Sequence, residues 1–287
     1  MNIITNQELL LRVSAFAVAL VLLLSWEALR PRRVPCAGKW LRRVNNLLLV
    51  MVDAYLMRWL GALASVGAAA LAAGNQWGLF NLFPVPYWPA FVLSVIVLDL
   101  VIYAQHVLFH KVGILWRIHR VHHTDRDFDA TTALRFHPFE ILLSACIKFA
   151  AVVILGAPLP AVLVFEILLN VCSMFNHSNV AIPAGIDRWL RLLIVTPDMH
   201  RVHHSVIRLE TDSNYGFNLP WWDRLFRTYR PQPRDGHEKM AIGLREFAGE
   251  NTVNVLSLLI QPFLNVERLT QSEGDNNERG KRRPEPL

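Results

Sequence analysis

Apolar and polar positions alternate in long blocks along the 287-residue chain. Four apolar stretches stand out: about Leu9 to Leu29, Asn46 to Ala73, 89–110 and 139–175. A membrane-spanning helix needs roughly 20 apolar residues. The first three clear that length and read as spans. The fourth is broken by Gly156-Ala157-Pro158-Leu159-Pro160, so it reads as a hairpin of two shorter helices. The pattern predicts an all-α integral membrane protein of about three transmembrane helices plus a helical membrane hairpin. The polar segments between and after them would form a cytoplasmic helical cap. The first stretch has no basic residue before Arg12 and no small-residue cleavage site, so it reads as a retained span, not a signal peptide.

Charge sets the orientation. Arg30, Arg32, Arg33, Lys39, Arg42 and Arg43 lie between the first two stretches with no acidic residue among them, which predicts a cytoplasmic loop. Residues 74–88 carry no charge and belong outside, with Trp77, Tyr87 and Trp88 as an interfacial belt. Asp53 and Arg58 inside the second stretch are expected away from lipid. Residues 184–196 place Asp187, Arg188 and Arg191 among Ile186, Trp189, Leu190, Leu192 and Leu193, an amphipathic pattern suited to the interface, and Trp221 and Trp222 suit it too. Residues 251–264 suggest a short surface helix, and Gln271 to Leu287 a disordered tail. The organisation that follows is an N-terminal transmembrane anchor (1–88), a central unit (89–240) and a C-terminal amphipathic segment with its tail (241–287).

Composition supports this. Apolar residues make up 53% and charged residues 18%. The net charge of +6 fits retention at the cytoplasmic face of a membrane better than a nucleic-acid partner. Cys36, Cys146 and Cys172 are too few and too scattered for a disulfide framework or a cysteine metal knuckle.

The histidines carry the chemistry. Residues 119–123 and 200–204 both read His-Arg-Val-His-His. On a helix, positions i, i+3 and i+4 share a face, so each cluster aims three imidazoles at one spot. His106 and His110 form an i,i+4 pair at the end of the third apolar stretch, and His177 follows the fourth. These nine of the eleven histidines (His106, His110, His119, His122, His123, His177, His200, His203 and His204) would all lie at the inner membrane face. Neutral imidazole binds iron, zinc, copper and nickel. Nine donors exceed one open metal site and suit two metals sharing a pocket. His137 reads as an outer contact or structural residue in preference to a ligand, and His237 as exposed. Asp99 lies two turns before His106 and is a candidate for orienting a ligand ring or for a structural pair facing a cavity; Asn179 is a candidate for orienting a ring, and Asp223 for bonding a ligand imidazole or capping a local turn. Arg120 and Arg201 would pair with carboxylates or lipid phosphates, or be solvated.

In order along the chain, Asp99, Tyr103, His106-x-x-x-His110, Leu115-Trp116-x-x-His119-Arg120-x-His122-His123, Arg135-x-His137-Pro138, His177-x-Asn179, Thr196-Pro197-x-x-His200-x-x-His203-His204, Asn214-Tyr215-Gly216 and Trp222-Asp223-x-x-Phe226-x-Thr228 resemble the fatty acid hydroxylase / sterol desaturase superfamily of membrane di-iron enzymes. Arg227 departs from the pattern, since the family often has Gly there. The resemblance covers roughly residues 95–230. It implies two irons on the nine histidines, O2, and electrons from an external cytochrome b5- or ferredoxin-type reductase system. It also implies a lipid-like substrate: a fatty acyl chain, a sterol or a carotenoid. Zinc is expected to replace iron readily on purification. Hydroxylation is the leading expectation and desaturation by the same centre the closest rival. A histidine-rich metal transporter or sensor is the non-enzyme alternative, and ligands gathered at one face speak against it. The expected location is a bacterial inner membrane, with the endoplasmic reticulum second.

Overall fold

The computed structural model describes residues 3–35, 38–59, 65–247 and 252–265. The expected tail and Cys36 fall outside them. Among the described residues there is no strand, only the isolated bridges Pro31–Val180 and Ser205–Ile242. Four helices are long and apolar enough to cross a membrane: residues Gln7–Leu29 of α1 (Ile3–Leu29), α5 (Tyr87–Lys111), α7 (Pro138–Leu155) and α8 (Leu159–Asn176). At a rise of 1.5 Å per residue, α5 is about 37 Å long, more than the roughly 30 Å of a hydrocarbon core.

The second apolar stretch contains residues 60–64, which lie outside the described residues. Its described residues form two helices, α2 (Lys39–Trp59) and α3 (Ser65–Asn75), and neither is among the four. α2 carries Lys39, Arg42, Arg43, Asp53 and Arg58, more charged residues than any of the four apolar helices holds, and it sorts its residues by face. Its buried positions are mostly polar, Arg42, Asn45, Asn46 and Asp53, whereas Val44, Leu48, Met51, Tyr55 and Trp59 are exposed. Polar groups turned inward with apolar groups outward is the arrangement a lipid surround favours. Asp53 is buried as expected, but Arg58 is exposed. The α2–α3 pair still traverses the bundle. Arg42 near its start bonds Asp125 beside the first histidine cluster, and Trp77 and Gly78 beyond its end, just before the one-turn helix α4 (Leu79–Leu82), pack against Gly156 at the far turn.

That far turn explains the Gly-Ala-Pro-Leu-Pro break. Gly156 ends α7 in the left-handed region at φ 67°, where its N–H meets the carbonyls of Val152 and Val153. A Cβ on Gly78 would lie 2.1 Å from the Gly156 nitrogen, so the two turns are glycine-packed. Pro158 and Pro160 then set the start of α8. Val66, Ala68, Ala69, Leu98, Ile102, Val152, Val162 and Phe165 from α3, α5, α7 and α8 form the main apolar core, which runs up to Phe217.

The polar segments cover the opposite end of the bundle. They include α6 (Gly113–His123), α9 (Ala184–Leu190), α10 (Pro197–His203), α11 (Arg208–Thr211), α12 (Trp221–Leu225), α13 (Gly236–Lys239) and α14 (Val255–Ile260). The amphipathic helix is shorter than its pattern, ending at Leu190, with Ile186, Trp189, Leu192 and Leu193 exposed. The 251–264 segment is more than a surface helix. Leu258 is buried with Leu49 and Val121, and the carbonyls of Gln261 and Leu264 accept hydrogen bonds from Arg120. The N-terminal region also enters this end. Glu27 of α1 accepts from the backbone N–H of Ala130 (2.7 Å) and Asn179 (2.9 Å), and pairs with Arg43. Arg42 and Arg43 hold Asp129.

Candidate metal centre

Each histidine-bearing helix is started or stopped close to its histidines. Thr196 caps α10 by accepting from the Met199 N–H, and Pro197 follows at the first helical position, so His200, His203 and His204 rise on one side. Val112 separates α5 from α6 and reverses the chain, so that His106 and His110 meet His119 and His123. His177 is the residue that ends α8.

The nine histidines meet, and they divide into two groups. His106, His110, His119, His123 and His203 form one, and His122, His177, His200 and His204 the other. Within each group the ligand atoms lie within 4.8 Å of one another, and every residue is buried. Each His-Arg-Val-His-His cluster serves both groups. The first sends His119 and His123 to one and His122 to the other, and the second sends His203 to one and His200 and His204 to the other. Rings at i and i+4 share a site while the third turns to its neighbour.

The close nitrogen pairs match a metal-binding donor set. Nε2 of His119 lies 3.1 Å from that of His106 and 3.2 Å from that of His123. Nε2 of His177 lies 3.0 Å from that of His122 and 3.1 Å from that of His200. Two nitrogens each about 2.1 Å from a shared ion, at roughly right angles, would stand about 3 Å apart. Nε2 of His110, His203 and His204 is buried with no hydrogen-bond partner, which is costly unless something else binds it. Burial, reinforced by neighbouring histidines, pushes the proton affinities of His122, His123, His200, His203 and His204 well below the ordinary value. Burial takes His119 to about 3 and His177 to about 4. The rings are therefore neutral near pH 7, the form that ligates.

The far nitrogens are held unequally. In the five-histidine group, Nδ1 of His106 donates to the Tyr215 carbonyl, that of His203 to the Ser213 carbonyl and that of His119 to Glu140 Oε1, each at 2.7 Å. Nδ1 of His110 lies 3.4 Å from Asp212 Oδ1. In the four-histidine group only His177 has such a partner, the Ser173 carbonyl at 2.7 Å, while Nδ1 of His122, His200 and His204 has none. Rings of Phe136, Phe128 and Phe217 pack against His122, His204 and His106, and wall the pocket from water.

The expected helpers sit elsewhere than on the rings. His137 caps α7, accepting from the Phe139 N–H and reaching the Leu259 carbonyl, and it belongs to neither group. Asp99 accepts from Trp222 Nε1 (2.8 Å) and the Leu219 N–H (3.2 Å). Asn179 brackets the Arg33 backbone. Asp223 accepts from the N–H of Tyr215 and Gly216 and from the Thr228 hydroxyl, so it reaches His106 through the Tyr215 segment. Burial pushes Asp223 up to about 6 against those three donors. Glu140 was not foreseen. Its signal was an acid three residues after His137, opening a strongly apolar helix. The Ser213 and Tyr215 carbonyls had no side-chain signal except Asn214 between them, held at φ 52° with its amide on the Met199 and Arg230 carbonyls. His237 is buried 3.7 Å from Asp198, against the exposure expected for it. Arg201 is ion-paired with Asp198, as one reading held, but Arg120 donates to backbone carbonyls. Both are packed too deeply for solvation.

Residues 91–228 match the fatty acid hydroxylase family. An ornithine lipid hydroxylase of Rhizobium tropici is 33% identical over 61% of this chain and 52% of its own length. The human alkylglycerol monooxygenase is 32% identical over 58% of this chain and 36% of its own. A rice very-long-chain aldehyde decarbonylase is 26% identical over 53% of this chain and 57% of its own. The chain thus spans about half or less of the length of the first relatives it matches. No solved structure matches it.

Proposed function

The chain belongs to the fatty acid hydroxylase / sterol desaturase superfamily, and from that premise we propose that it is a membrane oxidoreductase that uses O2 to hydroxylate an unactivated C–H bond of a lipid-like substrate. The reaction consumes O2, two electrons and two protons, and yields the alcohol and water. The observation that carries this reading is the division of nine buried histidines into adjoining groups of five and four at one end of the spanning helices. Two iron ions fit those donors, His106, His110, His119, His123 and His203 for one, and His122, His177, His200 and His204 for the other. Iron there supplies the O2 activation.

The protein's own residues do the rest. Ser213, Tyr215 and Glu140 fix the Nδ1–H tautomer of their partners, leaving Nε2 free to ligate. Phe128, Phe136 and Phe217 exclude water from the reacting space. The apolar core of the bundle runs up to Phe217 beside His106, so the surroundings of the site on the bundle side are hydrocarbon-like, which suits a lipid substrate. The electrons come from a separate one-electron carrier of cytochrome b5 or ferredoxin type. The basic residues Arg32, Arg42 and Arg43 sit at the histidine end, which supports a cytoplasmic site, in a bacterial inner membrane. Two relatives named a hydroxylase and a monooxygenase favour oxygen insertion over desaturation.

Lipid mass spectrometry on cells grown under 18O2 tests this. Wild-type protein is expected to give a product with one heavy oxygen that His122→Ala and His203→Ala lack. An unlabelled product lighter by two hydrogens would establish desaturation instead. Metal uptake without any lipid product would make the chain a transporter or sensor.

A further inference from the structure

Trp116 links the five-histidine group to the outside. Its ring lies 4.9 Å from that of His110, 5.4 Å from His123 and 6.3 Å from His119. The same side chain lines a cavity of about 100 Å³ together with Arg208, Thr211, Leu244, Arg245 and Glu246. None of the other rings packed on the nine histidines lines this cavity. The Arg208 guanidinium lies 5.5 Å above the indole. Lys111, Arg208 and Arg245 are exposed around this opening. Arg117 and Arg120 stand behind it and donate to the carbonyls of Gln261, Pro262 and Leu264, which bind them without cancelling their charge. Against these five cations stand Asp212, shared by Lys111 and Arg208, and Glu246. The face is positive on balance.

We infer that an acidic one-electron carrier protein docks on this face and that Trp116 conducts its electron to the five-histidine group. The inference rests on the redox reading of that centre given above. Electron transfer falls steeply with distance, and a π-system packed on two histidine rings of the group gives a covered route from this surface inward. A net positive face steers an acidic partner and raises the encounter rate. Each encounter oxidises the carrier by one electron, and two encounters supply the pair that one O2 consumes.

The test uses full-length, iron-loaded protein in detergent, without O2. Reduced acidic [2Fe–2S] ferredoxin is mixed with it, and the ferredoxin absorbance reports reoxidation. The double substitution Arg208→Glu, Arg245→Glu is expected to slow reoxidation at least about tenfold at low salt and to flatten its salt dependence. Trp116→Leu is expected to slow it with ferredoxin affinity unchanged, and Trp116→Phe to restore part of the rate. Iron content, measured for each variant, is expected at the wild-type level. Reduced methyl viologen, a small cation, is expected to reduce all of them alike. Equal ferredoxin rates in wild type and the double variant would overturn the inference. So would a wild type that methyl viologen reduces but ferredoxin does not. Loss of binding to phosphatidylglycerol vesicles with ferredoxin rates intact would make the face a lipid contact and overturn it too. If methyl viologen fails to reduce wild type, the redox reading of the centre falls first, and the inference with it.

Discussion

Glu140 shows how one side chain governs a neighbour's chemistry. Its carboxylate accepts from His119 Nδ1 at 2.7 Å, and its other oxygen has no partner. Removing such an outer contact typically lowers metal affinity 10–100-fold. Glu140→Gln is therefore expected to lose metal to a chelator at a concentration roughly tenfold lower than wild type, read by metal content after dialysis. His137→Ala is the contrast. It removes a helix cap and costs about 1 kcal/mol of stability, while the metal content holds. Arg227 gives a third case. It sits at φ 60°, a conformation that costs a side-chain-bearing residue about 1–2 kcal/mol and that glycine adopts freely. Arg227→Gly is expected to raise thermal stability in detergent by about 1 kcal/mol.

Helix ends, more than helix interiors, carry the specific information at the next scale. The α7–α8 hairpin turns on Gly156, whose added Cβ would meet the Trp77 carbonyl at 2.7 Å, while one on Gly78 would meet the Gly156 backbone. Neither contact can relax by turning a side chain. Gly78→Ala is expected to destabilise by more than about 1 kcal/mol, because its φ of 96° and the opposing backbone both resist a side chain. A thermal melt compared with Gly74→Ala, where nothing lies within 4 Å, would check it. At the other end, Asn214 at φ 52° turns the Ser213 and Tyr215 carbonyls toward two ligands. The segment from Asp212 to Tyr215 is thus an outer support for the five-histidine group.

Across the whole molecule the two halves of the site are unequal. One group has five donors with three hydrogen-bonded Nδ1 atoms, and the other has four donors with one. More donors and firmer outer contacts bind an ion more tightly. Stepwise chelation is expected to remove one metal well before the second, and His177→Ala to leave about one ion per chain by mass spectrometry of metal content. Simultaneous loss of both ions in wild type would contradict it. Glu27, Arg42 and Arg43 add a second consequence at this scale, because they tie α1 and α2 to the segments carrying Ala130 and Asn179. Helices α1 and α2 are thus tied into the histidine end through Glu27, Arg42 and Arg43.

The nine histidines, the helical class and the hairpin were legible because each is a local signal. Ligand spacing at i, i+3 and i+4, the length of apolar runs and a Gly-Pro break all act within one helix or turn. The sequence by itself therefore determined which nine histidines come together and that they gather at one end. Only the tertiary structure decided how nine donors divide into five and four, since that depends on four helix ends approaching from different parts of the chain. It alone decided that Glu140 and backbone carbonyls hold the rings, because a carbonyl has no side-chain identity to read. It also decided that His237 and Arg120 are buried and that α2 turns its polar face inward, since burial is fixed by what packs against a residue and not by its own polarity.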